Sequence, residues 1–262
     1  MARLVRVDVS APPVVPAGTG AARLEPHGTR GRIGRPAGGE NLEPWYRLAE
    51  TILRPPIKLY YNWHFEGMEH LPREGAALVA CNHISYFDPL AQGLFVTKCG
   101  RRPRFLAKSE LYENWFLRRV LEGTKQIKVF RGTGDKAPVE NAKQALRDGE
   151  VVMIYPEGTR TRNPDFTPMQ GKRGIARLTL ASDTPVLPLA VWGTQHVDIQ
   201  HGVHPGKFGR PIWVKAGVPM DFSAYSEQPD DTEALQQVTD QVMAELSRLV
   251  GDMRSRYPKR WA

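Results

Sequence analysis

The sequence predicts an α/β fold: a single domain with a central mixed sheet of about six or seven strands flanked by helices, preceded by an N-terminal amphipathic helical segment. Three observations predict it. From residue 66 onward, short apolar runs alternate with longer stretches of helical period, the pattern of a sheet with helices on its faces. The run Val151-Val152-Met153-Ile154-Tyr155 has no polar alternation, as expected of a central strand buried on both faces. No internal repeat appears, and no apolar run reaches the ~18 residues of a membrane-spanning helix.

Taken in order, residues 1–42 are rich in Gly, Pro, Ala and Arg without a sustained period, and are read as a disordered or loosely attached tail. Residues 43–65 change character. Trp45, Tyr46, Ile52, Leu53, Ile57, Tyr60, Tyr61, Trp63 and Phe65 follow a mostly helical spacing broken at Pro55-Pro56, which predicts two helical pieces joined by a kink. Aromatics beside Arg47, Arg54 and Lys58 suit a membrane–water interface. Packing of the same aromatics against the domain is an equal alternative. Residues 66–262 form the domain proper. Strands are expected at 76–81, 104–107, 126–130, 151–155, 186–192 and 212–218, and helices at 89–97, 110–122, 137–147, 172–182 and 232–256.

The net charge of +8 suits a polyanion, an anionic lipid surface or a phosphorylated small substrate. Residues 98–131 hold ten Lys or Arg against three Glu, so much of the excess lies in one stretch. Cys81 and Cys99 are the only cysteines, too few for a disulfide framework and without metal-ligand spacing. The N-terminus shows no apolar core of a secretory signal, so a reducing, cytoplasmic location is expected.

Four motifs carry the chemistry. In Cys81-Asn82-His83-Ile84-Ser85-Tyr86-Phe87-Asp88-Pro89, an apolar strand ends at a His, and an Asp follows five residues on. A His at a strand end beside a carboxylate is placed to act as a general base. Asp88-Pro89 also reads as the N-cap and first turn of a helix, and a purely structural Asp88 is the plain alternative. Next, the strand ending Val129-Phe130-Arg131 delivers an arginine to a glycine-bearing loop able to receive a phosphate. Pro156-Glu157-Gly158-Thr159-Arg160 then follows the central strand, at the end where α/β sheets bind ligands. There Gly158 permits close approach, Thr159 offers a hydroxyl and Arg160 a two-pronged donor. Finally, Gly171-Lys172-Arg173-Gly174 opens a helix, and Pro185-Val186-Leu187-Pro188-Leu189 follows as an apolar strand, a wall for an acyl chain or simply core. Lys108, at the end of Phe105-Leu106-Ala107-Lys108, joins the cationic group.

In this order the motifs resemble the four ordered motifs of the glycerophospholipid acyltransferase family, over roughly residues 66–220. The second motif departs from the family pattern: Gly123 lies eight residues before Arg131, and Phe130 is its neighbour. The resemblance implies a bacterial 1-acylglycerol-3-phosphate acyltransferase-like enzyme of phospholipid synthesis, working peripherally on the inner face of the cell membrane. His83 would be the base and Asp88 its partner. Arg131, Glu157, Gly158, Thr159 and Arg160, with Lys108 and Lys172, would hold the acceptor phosphate. The co-substrate would be acyl-CoA or an acyl carrier protein thioester, with no metal, no redox cofactor and no nucleic acid. The acceptor would be lysophosphatidic acid, with glycerol 3-phosphate or another lipid as alternatives. Two readings of other classes compete: a basic nucleic-acid-binding protein, and a hydrolase turning the His–Asp pair on water.

Overall fold

The structure is a computed structural model and describes residues 57–130, 137–197, 206–227 and 229–261, together with Thr51 and Pro55. The tail at 1–42, most of the 43–65 segment including its expected kink, and Arg131 lie outside the described residues. Seven strands form one sheet: β1 (Asn62–Glu66), β2 (Ala77–Cys81), β3 (Pro103–Lys108), β4 (Ile127–Val129), β5 (Val151–Ile154), β6 (Val186–Trp192) and β7 (Pro211–Ala216). Their order is β1-β7-β6-β2-β5-β3-β4. All neighbours are parallel except β6 and β7, so the sheet is mixed, as expected. The carboxyl ends of β2, β3, β4, β5 and β6 consequently share one edge.

The centre of the sheet lies where the apolar runs are unbroken. Every residue of β2 and of β6 is buried. Because side chains alternate along a strand, β2 feeds both faces: Val79 and Cys81 enter one apolar cluster, Leu78 and Ala80 the other. Helix α1 (Asp88–Lys98) supplies Ala91, Phe95 and Val96 to the first cluster. Helices α2 (Trp115–Gly123), α3 (Ala137–Arg147), α4 (Gly174–Ser182) and α5 (Thr232–Arg256) follow. Of these, α3 and α4 pack on the second cluster with Leu235, Val238, Val242 and Leu246 of α5, while Leu249, Val250 and Met253 of α5 reach the first.

Two expectations are revised. Trp63 and Phe65 lie on β1 rather than on a helix. They stack on each other at 5.8 Å and face Phe87 and Phe95 of the first cluster, while His64 points to the opposite side against Trp213. That is a period of two, and its pairing partner, β7, is far away in sequence. The single helix expected over 110–122 is instead a 3₁₀ turn, Ser109–Tyr112, followed by α2. Asn114 restarts the chain there, its side chain accepting from the backbone N–H groups of Phe116 and Leu117, both at 3.1 Å. Of the two readings of the Pro188 strand, core packing holds, since every residue of β6 is buried. Pro188 is tolerated in an interior strand because the β6–β7 ladder stops at Leu189–Ala216, and the Pro188 carbonyl accepts from Gly217 N–H at 2.9 Å just beyond it.

Candidate active site

The site grows from the turn after β2. Asn82 anchors that turn to the neighbouring strand: its side chain donates to the Val191 carbonyl at 3.1 Å and accepts from Val191 N–H at 2.7 Å. His83 then leaves the sheet with its ring 4.2 Å from that of Tyr155, nearly parallel. Burial holds the Tyr155 phenol well above the ordinary tyrosine range, and its O–H donates to Gln92 Oε1 at 2.7 Å. Gln92 in turn donates to the Asn82 carbonyl at 3.0 Å. One face of the imidazole is therefore fixed by a fully bonded support.

Asp88 is not the N-cap of α1 but its first residue; Phe87 occupies the cap position, with no side-chain cap bond. The carboxylate turns back on the preceding loop instead. Its Oδ2 accepts from His83 Nδ1 at 2.9 Å, from Ile84 N–H at 2.6 Å and from Ser85 N–H at 2.7 Å. Its Oδ1 accepts from the Thr194 hydroxyl at 2.6 Å. Asp88 and Thr194 are completely buried. An oxygen already taking two backbone N–H donors can only accept from the ring, so Nδ1 carries the proton and Nε2 keeps its lone pair. Among the described residues Nε2 has no protein partner, and the imidazole side chain is 14% exposed. A tautomer-fixed imidazole with its basic nitrogen open to the site is the arrangement of a general base.

The loop after β5 closes on the same turn. Glu157 Oε1 accepts from His83 N–H at 3.1 Å and Oε2 from Met169 N–H at 2.9 Å, while Thr161 N–H donates to the His83 carbonyl at 2.7 Å. Burial is the largest influence on the Glu157 carboxyl and pushes it above its ordinary range, against the opposing effect of the Met169 and His83 N–H groups. Glu157 thus stitches two loops together instead of facing solvent. Gly158 has φ +71°, and a Cβ there would meet Lys172 Nζ at 2.9 Å. Glycine at this position therefore lets the Lys172 chain lie across the loop, and Lys172 N–H donates to the Pro156 carbonyl at 2.8 Å. The Arg160 guanidinium sits 3.9 Å over the ring of Tyr86, a half-exposed residue of the His83 turn.

His83, Asp88, Glu157, Gly158, Thr159, Arg160 and Lys172 are thereby gathered around one pair of interlocked loops. Lys108 ends β3 at the same sheet edge, with Phe105 of that strand stacked 6.2 Å from Tyr155. β4 reaches the same edge two residues before Arg131. Sequence reasoning missed Thr194, the ring of Tyr155, Gln92 and Tyr86. Thr194 follows the apolar β6 run through Gly193, whose φ of +99° and closeness to the Pro211 carbonyl admit no side chain. Among the described residues, no three His, Cys, Asp or Glu side chains converge to hold a metal ion.

The sequence model of the acyltransferase family matches residues 62–192, which is half of the chain and contains the His83–Asp88 pair, the Glu157 loop and all of β6. The chain belongs to the acyltransferase family. It is similar to the 1-acyl-sn-glycerol-3-phosphate acyltransferase of Bacillus subtilis, 27% identical over 148 residues that cover 56% of this chain and 71% of that protein. The protein of that name from Borreliella burgdorferi is 29% identical over 137 residues, 52% of this chain and 53% of its own length. This acyltransferase therefore aligns with about half the length of the Borreliella relative. The crystal structure of the 1-acyl-sn-glycerophosphate (LPA) acyltransferase, PlsC, from Thermotoga maritima matches it with a TM-score of 0.58 and 23% identity, over 81% of each chain. At that identity the match establishes the shared fold.

Proposed function

We propose that this acyltransferase transfers an acyl chain from a thioester, on CoA or an acyl carrier protein, to the free hydroxyl of 1-acylglycerol 3-phosphate, giving phosphatidic acid. The observation that carries the reading is the His83–Asp88 pair, locked at 2.9 Å, opening beside a loop that bears Arg160 and is crossed by Lys172. His83 Nε2 takes the hydroxyl proton as that oxygen attacks the thioester carbonyl; the C–S bond breaks, and the proton passes to the departing thiolate. Asp88 stabilises the imidazolium formed between these steps. Arg160, Lys172 and Lys108, with Arg131 two residues beyond β4 in the sequence, supply cations for the acceptor phosphate, and Glu157 keeps the two loops in register. The names of the relatives support this acceptor.

The test offers the purified protein acyl-CoA with either 1-acylglycerol 3-phosphate or glycerol 3-phosphate and identifies the product by mass. Phosphatidic acid from the first acceptor is expected. Thiol released with no acylated lipid would show a hydrolase instead. His83→Ala should lower kcat by at least ~10²-fold, the usual weight of a general base, while substrate still binds. Arg160→Ala should act chiefly by raising the KM for the phosphorylated acceptor, and an unchanged KM would remove that arginine from the phosphate site.

A further inference from the structure

Helix α2 differs from the other helices of the sheet's flanks in that none of its nine residues is buried. Its first two residues are large aromatics left in the open: Trp115 is 76% exposed and Phe116 58%, with their rings 5.9 Å apart. Leu111, on the preceding 3₁₀ turn, and Phe130, just past β4, are also exposed, at 40% and 45%. Lys128 joins these pieces, its ammonium 5.0 Å from the rings of both Tyr112 and Phe130. Arg119 and Lys128 have no carboxylate partner among the described residues, whereas Arg118 is paired with Glu122 at 2.7 Å. Glu110 and Glu113 are the nearby acidic residues. Isolated apolar side chains are ordinary on protein surfaces, but a cluster of four carried by one short excursion, with two aromatics on a single turn, is not.

Topology places this cluster. The 3₁₀ turn leaves the carboxyl end of β3 directly, and Phe130 follows the carboxyl end of β4 directly. Leu111, Trp115, Phe116 and Phe130 therefore crown the same sheet edge from which the His83 turn and the Glu157 loop emerge. We propose that the excursion 109–130 is a docking surface for an anionic lipid bilayer, with Trp115 and Phe116 inserted at the headgroup level and Arg119 and Lys128 against the lipid phosphates. An indole at a helix start, with Arg119 one turn further along the helix and Lys128 over the rings of Tyr112 and Phe130, is the chemistry of a membrane–water interface, and the net charge of +8 favours an anionic one. The choice of lipid as occupant rests in part on the lipid acceptor proposed above. Docking here would turn the open side of His83 toward the membrane and let an acceptor enter without leaving the bilayer completely.

The experiment compares the full chain with the Trp115→Ser/Phe116→Ser variant. Both are sedimented with phosphatidylglycerol-containing vesicles and with pure phosphatidylcholine vesicles. The parent should bind the anionic vesicles more tightly, and the variant should lose roughly ten- to hundredfold in that affinity, as expected when two aromatic side chains no longer enter the interface. An Arg119→Glu/Lys128→Glu variant should lose the preference for anionic lipid. Turnover of a short-chain, water-dispersed acceptor should stay at the parental level in both variants, because none of these residues touches the site. Undiminished vesicle binding by the aromatic variant overturns the proposal. So does a parental dimer that the aromatic variant dissociates, or salt-sensitive DNA binding that it abolishes while vesicle binding persists. If the parent fails to acylate the dispersed acceptor, the proposed reaction falls, while the vesicle comparison still decides the surface.

Discussion

At the scale of single residues, the site depends on one carboxylate with four donors. Asp88 holds His83 through Oδ2 and is itself held by two backbone N–H groups and by Thr194. Removing the Thr194 hydroxyl leaves Oδ1 buried without a donor, at a cost of about 1–3 kcal/mol. Thr194→Val, nearly identical in shape, should therefore lower kcat, with the acidic limb of the pH–rate profile displaced, while the acceptor KM changes little. Thr194→Ser should restore both. A purely structural threonine would alter the melting temperature and leave the pH profile in place. Thr194 was not legible from its own surroundings, because its partner is 106 residues away. His83 and Asp88 were legible, since their five-residue spacing is closed within a single turn.

At the scale of elements, strands and helices follow from local patterns, and the joints between them do not. Arg104 shows why. From β3 its guanidinium forms a two-pronged pair with Glu150, just before β5, and donates to the Thr124 carbonyl, just before β4, at 2.7 Å. One side chain, 2% exposed, thus ties the starts of three neighbouring strands. Arg104→Met keeps much of the volume, and Gln126 Nε2 still donates to the Thr124 carbonyl at 2.9 Å, but the Glu150 carboxylate loses its two-pronged partner. Because Glu150 is partly open to water, the expected loss is about 2 kcal/mol, measured by urea denaturation. In the sequence Arg104 reads only as one more charge in a basic stretch. Likewise β1 was taken for helix because its aromatics also fit a helical spacing. Pairing with β7 chose the period of two.

For the molecule as a whole, charge sets the response to acid. Glu66 on β1, Lys215 on β7, and Asp252 and Arg256 on α5 form one surface network with contacts of 2.7–3.1 Å. Hydrogen bonds, from Arg256 to Glu66 and from Lys215 to Asp252, hold both carboxyls below their ordinary values of 4.5 and 3.8. Folded values below the unfolded ones mean that this contribution is present above those ordinary values and is lost as pH falls through the folded ones. Glu66→Gln should therefore flatten the acid side of the stability–pH curve, with the difference from the parent shrinking in high salt. Glu157 has the opposite sign. Its raised carboxyl makes stability decline as pH climbs from 4.5 toward the folded value, and Glu157→Gln should remove that decline. A Glu157→Gln curve parallel to the parental one would contradict a carboxyl raised by burial.

By itself the sequence determined the fold class, the order of the strands from β2 to β7 along the chain, and the pairing of His83 with Asp88. Each of these is written in short-range signals: the period of apolar residues, the end of a run, a spacing of five. Only the tertiary structure decided that β1 joins the sheet, that Asp88 serves the histidine instead of capping α1, that Thr194 and Tyr155 hold the pair in place, and that Trp115 and Phe116 stand clear of the core. The reason is physical. A hydrogen bond or ring contact between residues a hundred positions apart is stabilised by the folded packing that brings them together, and neither partner's local sequence carries a trace of it.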